Sequence, residues 1–288
     1  MAGTLYVVAT PIGNLEDITL RAVRVLRECD LIAAEDTRRT HKLLVSQGLS
    51  TPCISYHLHN SRSRLPQIIE RLERGLSVAL VSDAGTPGIS DPGLELVRAC
   101  VEKGISVDPI PGASAPLTAL SASGFPSEPF TFLGFAPNKS GARDRWFRRA
   151  FSIDHTFCFL EAPHRIKDAL QRVCKISGER QIMLAREMTK VHQEFIRGVA
   201  ADVISNIGHK IGEMTIVVAP HDERTAEPIE RNDDQIYLHF LNELKSSHMD
   251  RRIALENTSF AMGMSKNEVY DIIERVKRAR ADSEFADD

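Results

Sequence analysis

Residues 78–93, VALVSDAGTPGISDPG, read as a buried strand that runs into a rigid loop and then a helix. Val78–Val81 is an unbroken apolar run, stopped by Ser82-Asp83. The ten residues from Ala84 to Gly93 hold three glycines and two prolines. Gly85 and Gly88 let backbone approach a ligand closely, while Pro87 and Pro92 limit its freedom to move away. Asp91-Pro92 reads as an N-cap followed by proline at the first helical position, opening a helix over Gly93–Val101. In α/β proteins such loops lie at the carboxyl ends of strands, where ligands bind.

Outward from this unit the chain repeats it. Strands are expected at 5–9, 31–34, 53–55, 78–81 and 107–110, with amphipathic helices between them. One such helix, 17–28, carries Ile18, Ala22, Val25 and Leu26 on one stripe behind an Asp17 cap. The alternation predicts a mainly parallel sheet covered on both faces. Near Gly124-Phe125-Pro126 the rhythm changes to aromatic and β-branched strands at 130–135, 156–161, 181–186 and 213–219, with two clear helices among them. The expected organisation is an α/β domain over 1–120, a second α+β domain over 121–220, a polar linker over 221–232 and a small helical domain over 233–288. Within the last, helices are expected at 234–245, 250–261 and 265–279, with Ser265 capping the third. Its end resembles half of a helix-turn-helix, a unit that mediates either protein contacts or nucleic-acid binding.

A chain of 288 residues with 42% hydrophobic and 26% charged content is that of a soluble globular protein. No stretch approaches the ~18–20 apolar residues of a membrane span, and the first strand follows the N-terminus with no signal-peptide pattern. The five cysteines are scattered and never spaced as C-x-x-C, which points to a reducing cytoplasm and no metal site. Net charge divides unevenly: +3 over residues 1–220 and −6 over 221–288. The densest basic clusters are Arg38-Arg39 with His41 and Lys42, and the run Lys139–Arg149. This run, KSGARDRWFRR, interleaves Lys139, Arg143, Arg145, Arg148 and Arg149 with Trp146. It suits either a phosphate-rich partner with a ring for base stacking, or a solvated helix burying one aromatic face.

Dinucleotide, P-loop and zincin motifs are absent. Polar or small-residue loops recur at strand ends instead: TPIGN (10–14), EDTR (35–38), SDAGTP (82–87), PGAS (111–114), EAPHR (161–165) and AREMTK (185–190). Together with GE-x-T, this ordered series resembles the ribosomal RNA small subunit methyltransferase I group of the tetrapyrrole methylase superfamily, from about Thr4 to Ala219. The resemblance implies a two-domain class III methyltransferase with an appended small helical domain. It also implies a homodimer that uses S-adenosylmethionine to methylate the ribose 2′-oxygen of a decoding-centre cytidine, in 16S rRNA within the small ribosomal subunit. Residue by residue, it places the cofactor on Pro11, Gly13, Asp83, Ala84, Gly85, Ala113, Ser114, Leu160, Ala185, Met214 and Thr215. Two positions depart from the family pattern: K-G-E reads Ile211-Gly212-Glu213, and Leu160 replaces an aromatic.

Methyl transfer to a ribose needs alignment and removal of one proton. Candidates for the base are Glu35, Asp36, Glu187, Lys190 and Glu161, each of which could equally form an ion pair between the two domains. Lys190 serves only if burial or a cation such as Arg186 lowers its pKa. Arg38, Arg39 and Arg165 suit phosphate ligation through their permanent forks. The alternatives are a tetrapyrrole C-methyltransferase and a non-catalytic rRNA-binding assembly factor. Against them stand the AEDTR and EAPHR loops and the nearly complete set of cofactor loops.

Overall fold

The βα repeat becomes a five-stranded parallel sheet. In the computed structural model, which describes residues 2–177, 179–208, 212–221, 232–246, 250–262 and 264–284, strands β1 (Thr4–Val8), β2 (Leu31–Ala34), β3 (Cys53–Ser55), β4 (Val78–Val81) and β5 (Ser106–Ile110) lie in the order β3-β2-β4-β1-β5. All four neighbouring pairs are parallel. β2 and β4 are buried at every residue, which is why they read as unbroken apolar runs. Alternate residues feed two cores: Ala33 and Leu80 pack with Ile68, Leu72 and Leu96 on one face, while Ile32 and Val81 pack with Ala22, Leu26 and Leu44 on the other. Pro109 is accommodated because β5 is an edge strand.

Helices α1 (Leu20–Glu28), α2 (Thr37–Ser46), α3 (Ser61–Glu73) and α4 (Leu94–Glu102) make the crossovers. Two starts differ from expectation. α1 is capped by Thr19, whose hydroxyl accepts the Ala22 N–H at 3.1 Å, whereas Asp17 ends a separate 3-10 turn over Leu15–Asp17. α4 opens after Gly93 at φ 142° with no side-chain cap, so Asp91 is released from the capping role.

α5 (Ala115–Ser123) packs Ala119 and Leu120 against Cys158, Met183, Ala185 and Val217 of a second sheet. That sheet contains β6 (Phe130–Phe135), β7 (Thr156–Glu161), β8 (Gln181–Arg186), β9 (Glu194–Val199) and β10 (Met214–Val218), in the order β6-β7-β10-β8-β9. Only β6 and β7 run parallel; the other pairs are antiparallel. β9 was not expected from the pattern, because Arg197 and Gly198 interrupt a half-buried edge strand. The far face of this sheet is covered by α6 (Ser140–Phe151), α7 (Ile166–Ile176) and the short α8 (Ala200–Asn206) around Phe147, Phe151, Phe157 and Phe159. Both sheets belong to one compact unit, Met1–His221.

The second unit, Asp222–Asp288, holds α9 (Asp233–Ser246), α10 (Arg251–Met262) and α11 (Lys266–Glu284). Their core is Ile236, Phe240, Ala254, Val269, Ile273 and Val276. Ser265 and Glu268 form a reciprocal capping box: the hydroxyl accepts the Glu268 N–H at 3.2 Å and the carboxylate accepts the Ser265 N–H at 2.7 Å. Most of the expected linker, with Lys210 and Ile211, lies outside the described residues. Among the described residues no helix is long and apolar enough to cross a membrane.

Candidate active site

Because β4 lies between β2 and β1, the loops that follow these three strands are neighbours. Thr10 and Gly85 bridge them through two backbone bonds, N–H to O at 2.9 and 3.0 Å. The Thr10 hydroxyl adds a bond to the Ser82 carbonyl at 3.1 Å. On the other flank, Glu35 Oε2 accepts the Asp83 N–H at 3.1 Å and Asp83 Oδ1 accepts the Asp36 N–H at 3.0 Å. Arg39 completes this clasp, 3.2 Å from Asp83 Oδ2. The loop after β4 is wound tightly, with positive φ at Gly85, Gly88, Ser90 and Gly93. A Cβ on Gly93 would meet Leu80 Cδ2 at 2.9 Å. Ser90 at φ 66° holds a conformation that disfavours side chains, a feature that collects at functional sites.

From the second sheet come Leu160 and Thr215, set side by side by the register of β7 and β10, with Ala185 of β8 buried beside Thr215. The AREMTK loop closes over them. Its Glu187 and Thr189 have φ 48° and 66°, and Thr189 Oγ1 accepts the Asn14 N–H at 2.9 Å, tying it to TPIGN. Glu187 pairs with Lys190 Nζ at 3.0 Å. Gly212 of GE-x-T has φ 82°, a backbone conformation that favours glycine, and a Cβ there would also press on the Glu187 carboxylate.

These loops enclose a cleft of about 390 Å³, within the range of small-molecule sites. Of the expected cofactor residues, Asp83, Ala84, Gly85, Ser114, Leu160 and Thr215 line it. Ala113 stands just behind, its carbonyl accepting from the Thr86 hydroxyl at 3.4 Å. Pro11 is buried beneath and Gly13 abuts the Thr189–Lys190 segment. Ala185 and Met214 are fully buried in the packing of the second sheet, Met214 on the face opposite Thr215, so their side chains do not reach the cleft.

The candidate bases separate clearly. Glu35, Glu187 and Lys190 line the cleft. Asp36 does not: it caps α2 through the Arg38 N–H at 2.8 Å and pairs with the Arg38 guanidinium at 2.7 Å. Those bonds hold its carboxyl far below the usual carboxylate range. Glu161 does not line the cleft either. It is fully buried between Arg143 and Arg165, each 2.6 Å away. Arg165 further binds the Ala136 carbonyl at 2.6 Å and the Asn138 side chain. Arg143 is 3% exposed and Arg165 is spent on the same centre, so neither is a surface phosphate ligand. Trp146 is not a free stacking ring, since it packs edge-on against Phe147 and Phe159. Arg38, Arg39, Lys139, Arg145, Arg148 and Arg149 are exposed.

Sequence reasoning missed Asp91 as a cleft residue. It lines the cleft with Glu35, Asp83, Glu187 and Glu213, and among the described residues the cations that line it are Arg39 and Lys190. Burial, reinforced by Glu35, Glu213 and Asp83, pushes the Asp91 carboxyl up to about 7, against a favourable contact from Ser82. Burial also raises Glu35, partly offset by the Asp83 N–H. The available signal was Asp91 following three residues behind Gly88 in a glycine-rich turn, but the Asp-Pro pair matched a helix cap equally well.

Comparison with known proteins agrees with this architecture. The family described as Tetrapyrrole (Corrin/Porphyrin) Methylases matches residues 4–204. The ribosomal RNA small subunit methyltransferase I of Halalkalibacterium halodurans is 41% identical over 281 residues, 94% of each chain. The protein of the same name from Thermotoga maritima is 46% identical over 219 residues, 75% of this chain and 98% of its own length. Among solved structures, uroporphyrin-III C-methyl transferase from Thermus thermophilus, complexed with S-adenyl homocysteine, superposes with a TM-score of 0.55 at 15% identity, covering 75% of this chain and 97% of that one. At that identity the likeness is one of fold. The chain belongs to the tetrapyrrole methylases and, within them, to the ribosomal RNA small subunit methyltransferase I family.

Proposed function

We propose that this protein transfers the methyl group of S-adenosylmethionine to the ribose 2′-oxygen of a decoding-centre cytidine in 16S rRNA, acting on the small ribosomal subunit. The observation that carries the reading is the 41% identity over 94% of both chains to a protein named for small-subunit rRNA methylation. The cleft supports the cofactor independently. Among the described lining residues Glu35, Asp83, Asp91, Glu187 and Glu213 outnumber Arg39 and Lys190, which suits a cationic methyl donor. Leu160, Phe132 and Met188 offer apolar surface for a purine, and the loop backbone at Asp83–Gly85 and Ser114 can hold the polar ends.

S-adenosylmethionine, when bound, supplies a methyl group activated on a sulfonium. The protein's share is to align the ribose oxygen with that methyl, exclude water and take up one proton. The exposed Arg38 and the exposed arginines of α6 would hold RNA phosphates. The resemblance further points to a homodimer, and the scattered cysteines suit a reducing cytoplasm.

The test is transfer of labelled methyl from S-adenosylmethionine to small subunits, to naked 16S rRNA and to a porphyrinogen, followed by nucleoside analysis. A 2′-O-methylcytidine product from the RNA substrates is expected. Label only on the porphyrinogen, or none on any substrate, would overturn the reading.

A further inference from the structure

We propose that Asp91 is the group that takes the ribose hydroxyl proton during methyl transfer, an inference that rests on the ribose-methylation reading above. Its placement is unusual for an Asp-Pro pair ahead of a helix. The positive φ angles of Ser90 and Gly93 turn the chain so that α4 starts without a side-chain cap, and Asp91 lines the cleft instead. A strained turn is maintained where an ordinary side-chain cap would stabilise the helix start.

The other carboxylates near the cleft, the solvent-exposed Glu213 apart, are committed. Glu35 accepts the Asp83 N–H, Asp83 accepts the Asp36 N–H and faces Arg39, and Glu187 faces Lys190. Asp36 is held by Arg38, and Glu161 by two arginines. Glu213 is exposed to solvent. Among the described residues no lysine or arginine pairs with Asp91. The ionisable groups around it come from each neighbouring element: Glu35 after β2, Asp83 on its own loop, Glu213 before β10, Arg39 on α2, and Glu187 and Lys190 lining the same cleft. Apart from Arg39 and Lys190, each already paired, these are negative. Asp91 thus sits where a proton is readily held near neutral pH and where an incoming cation favours its release.

That environment couples its protonation to the reaction. A cationic donor in the cleft stabilises the ionised carboxylate, readying Asp91 as a base. During transfer Asp91 accepts the hydroxyl proton on a carboxylate oxygen as the ribose oxygen–carbon bond forms and the carbon–sulfur bond breaks, with the electron pair staying on sulfur. The positive charge vanishes from the cleft as the negative charge on Asp91 does. Conversion of an ion pair into two neutral groups is favoured where water is scarce.

Two measurements on the full-length protein test this. Calorimetric titrations at pH 7, in buffers of different ionisation enthalpy, should show S-adenosylmethionine binding with release of roughly half a proton, as expected for a group titrating near that pH. S-adenosylhomocysteine has the same amino-acid tail and a neutral sulfur, and should release far less. D91N should bind both ligands and lose the difference. In steady-state assays on small subunits, D91N should lower kcat by about 10²–10⁴-fold and abolish the rising limb near pH 7 of kcat/KM for S-adenosylmethionine, the parameter that reports the donor-free enzyme. D91E should retain a shifted limb. Equal proton release for the two ligands in the wild-type protein, or a wild-type pH profile in a folded D91N, would overturn the assignment. If D91N does not fold, the wild-type comparison of the two ligands decides alone. Should 2′-O-methylcytidine form while D91N behaves as wild type, only the role of Asp91 fails. A methylated base in place of a methylated ribose would remove both readings.

Discussion

Gly85 and Asp91 lie six residues apart on one loop and answer to different physics. Gly85 has φ 82°, and a Cβ there would find Ile12 Cγ2 at 3.6 Å, an ordinary contact. Strain, with bulk added by a branched side chain, is therefore what a substitution introduces. G85V should lower S-adenosylmethionine affinity by more than about tenfold, equivalent to about 1.4 kcal/mol, in a chain that remains folded. Calorimetric titration of G85A beside G85V separates backbone strain from the effect of bulk, and normal affinity in both would take this loop out of the site. For Asp91 the consequence is a pH-dependent stability. Its folded pKa of about 7 lies above the ordinary 3.8, so the folded state binds more protons between those values and stability falls as pH rises through that window. D91N, neutral throughout, should match the wild-type melting temperature near pH 4 and exceed it at pH 8. A constant offset across pH would mean that Asp91 is not titrating in this range.

The elements divide the basic residues into two kinds. On α6, Arg143 faces inward to Glu161 and Trp146 packs on Phe147 and Phe159, while Arg145 and Arg148 face solvent. A buried ion centre of this sort fixes how α6, β7 and the Arg165 turn meet, and breaking it by removing one partner would cost about 3–5 kcal/mol. The outward arginines carry no such structural burden. R145E/R148E should therefore leave folding and cofactor affinity alone and weaken binding to small subunits. The slope of log K against log salt should flatten by roughly one unit for each phosphate that is no longer neutralised. An unchanged slope would show that α6 does not touch RNA phosphate.

For the whole molecule, the division between the two-sheet unit and the helical unit falls at His221 and Asp222. The helical unit has its own core around Phe240, Val269 and Ile273. A relative from Thermotoga maritima aligns over 98% of its length with only 75% of this chain, so that relative has no room for a comparable appended unit. Deletion of residues 222–288 should accordingly leave S-adenosylmethionine affinity within about twofold, a difference of ~0.4 kcal/mol. The net charge of residues 221–288 is −6, which opposes direct phosphate binding, so the unit should act through KM for the assembled particle. Equal KM and kcat for truncated and full-length protein on small subunits would show that the unit has no part in this step.

The alternation of buried runs and amphipathic helices was enough to place the parallel sheet, because strands covered on both faces must be apolar throughout. The ordered loop motifs likewise marked the strand ends from which Asp83, Gly85, Ser114, Leu160 and Thr215 meet. Local pattern could not reveal β9, whose half-buried edge breaks the alternation, nor the inward turn of Arg143, since charge along a helix does not say which face is covered. Nor could it separate the carboxylates. Asp36, Glu161 and Asp91 are alike as residue types. One is spent on a helix end, one is clamped by two arginines from separate elements, and one is left among other negative charges. Those fates depend on desolvation and on charges brought together from distant parts of the chain, and only the tertiary structure sets both.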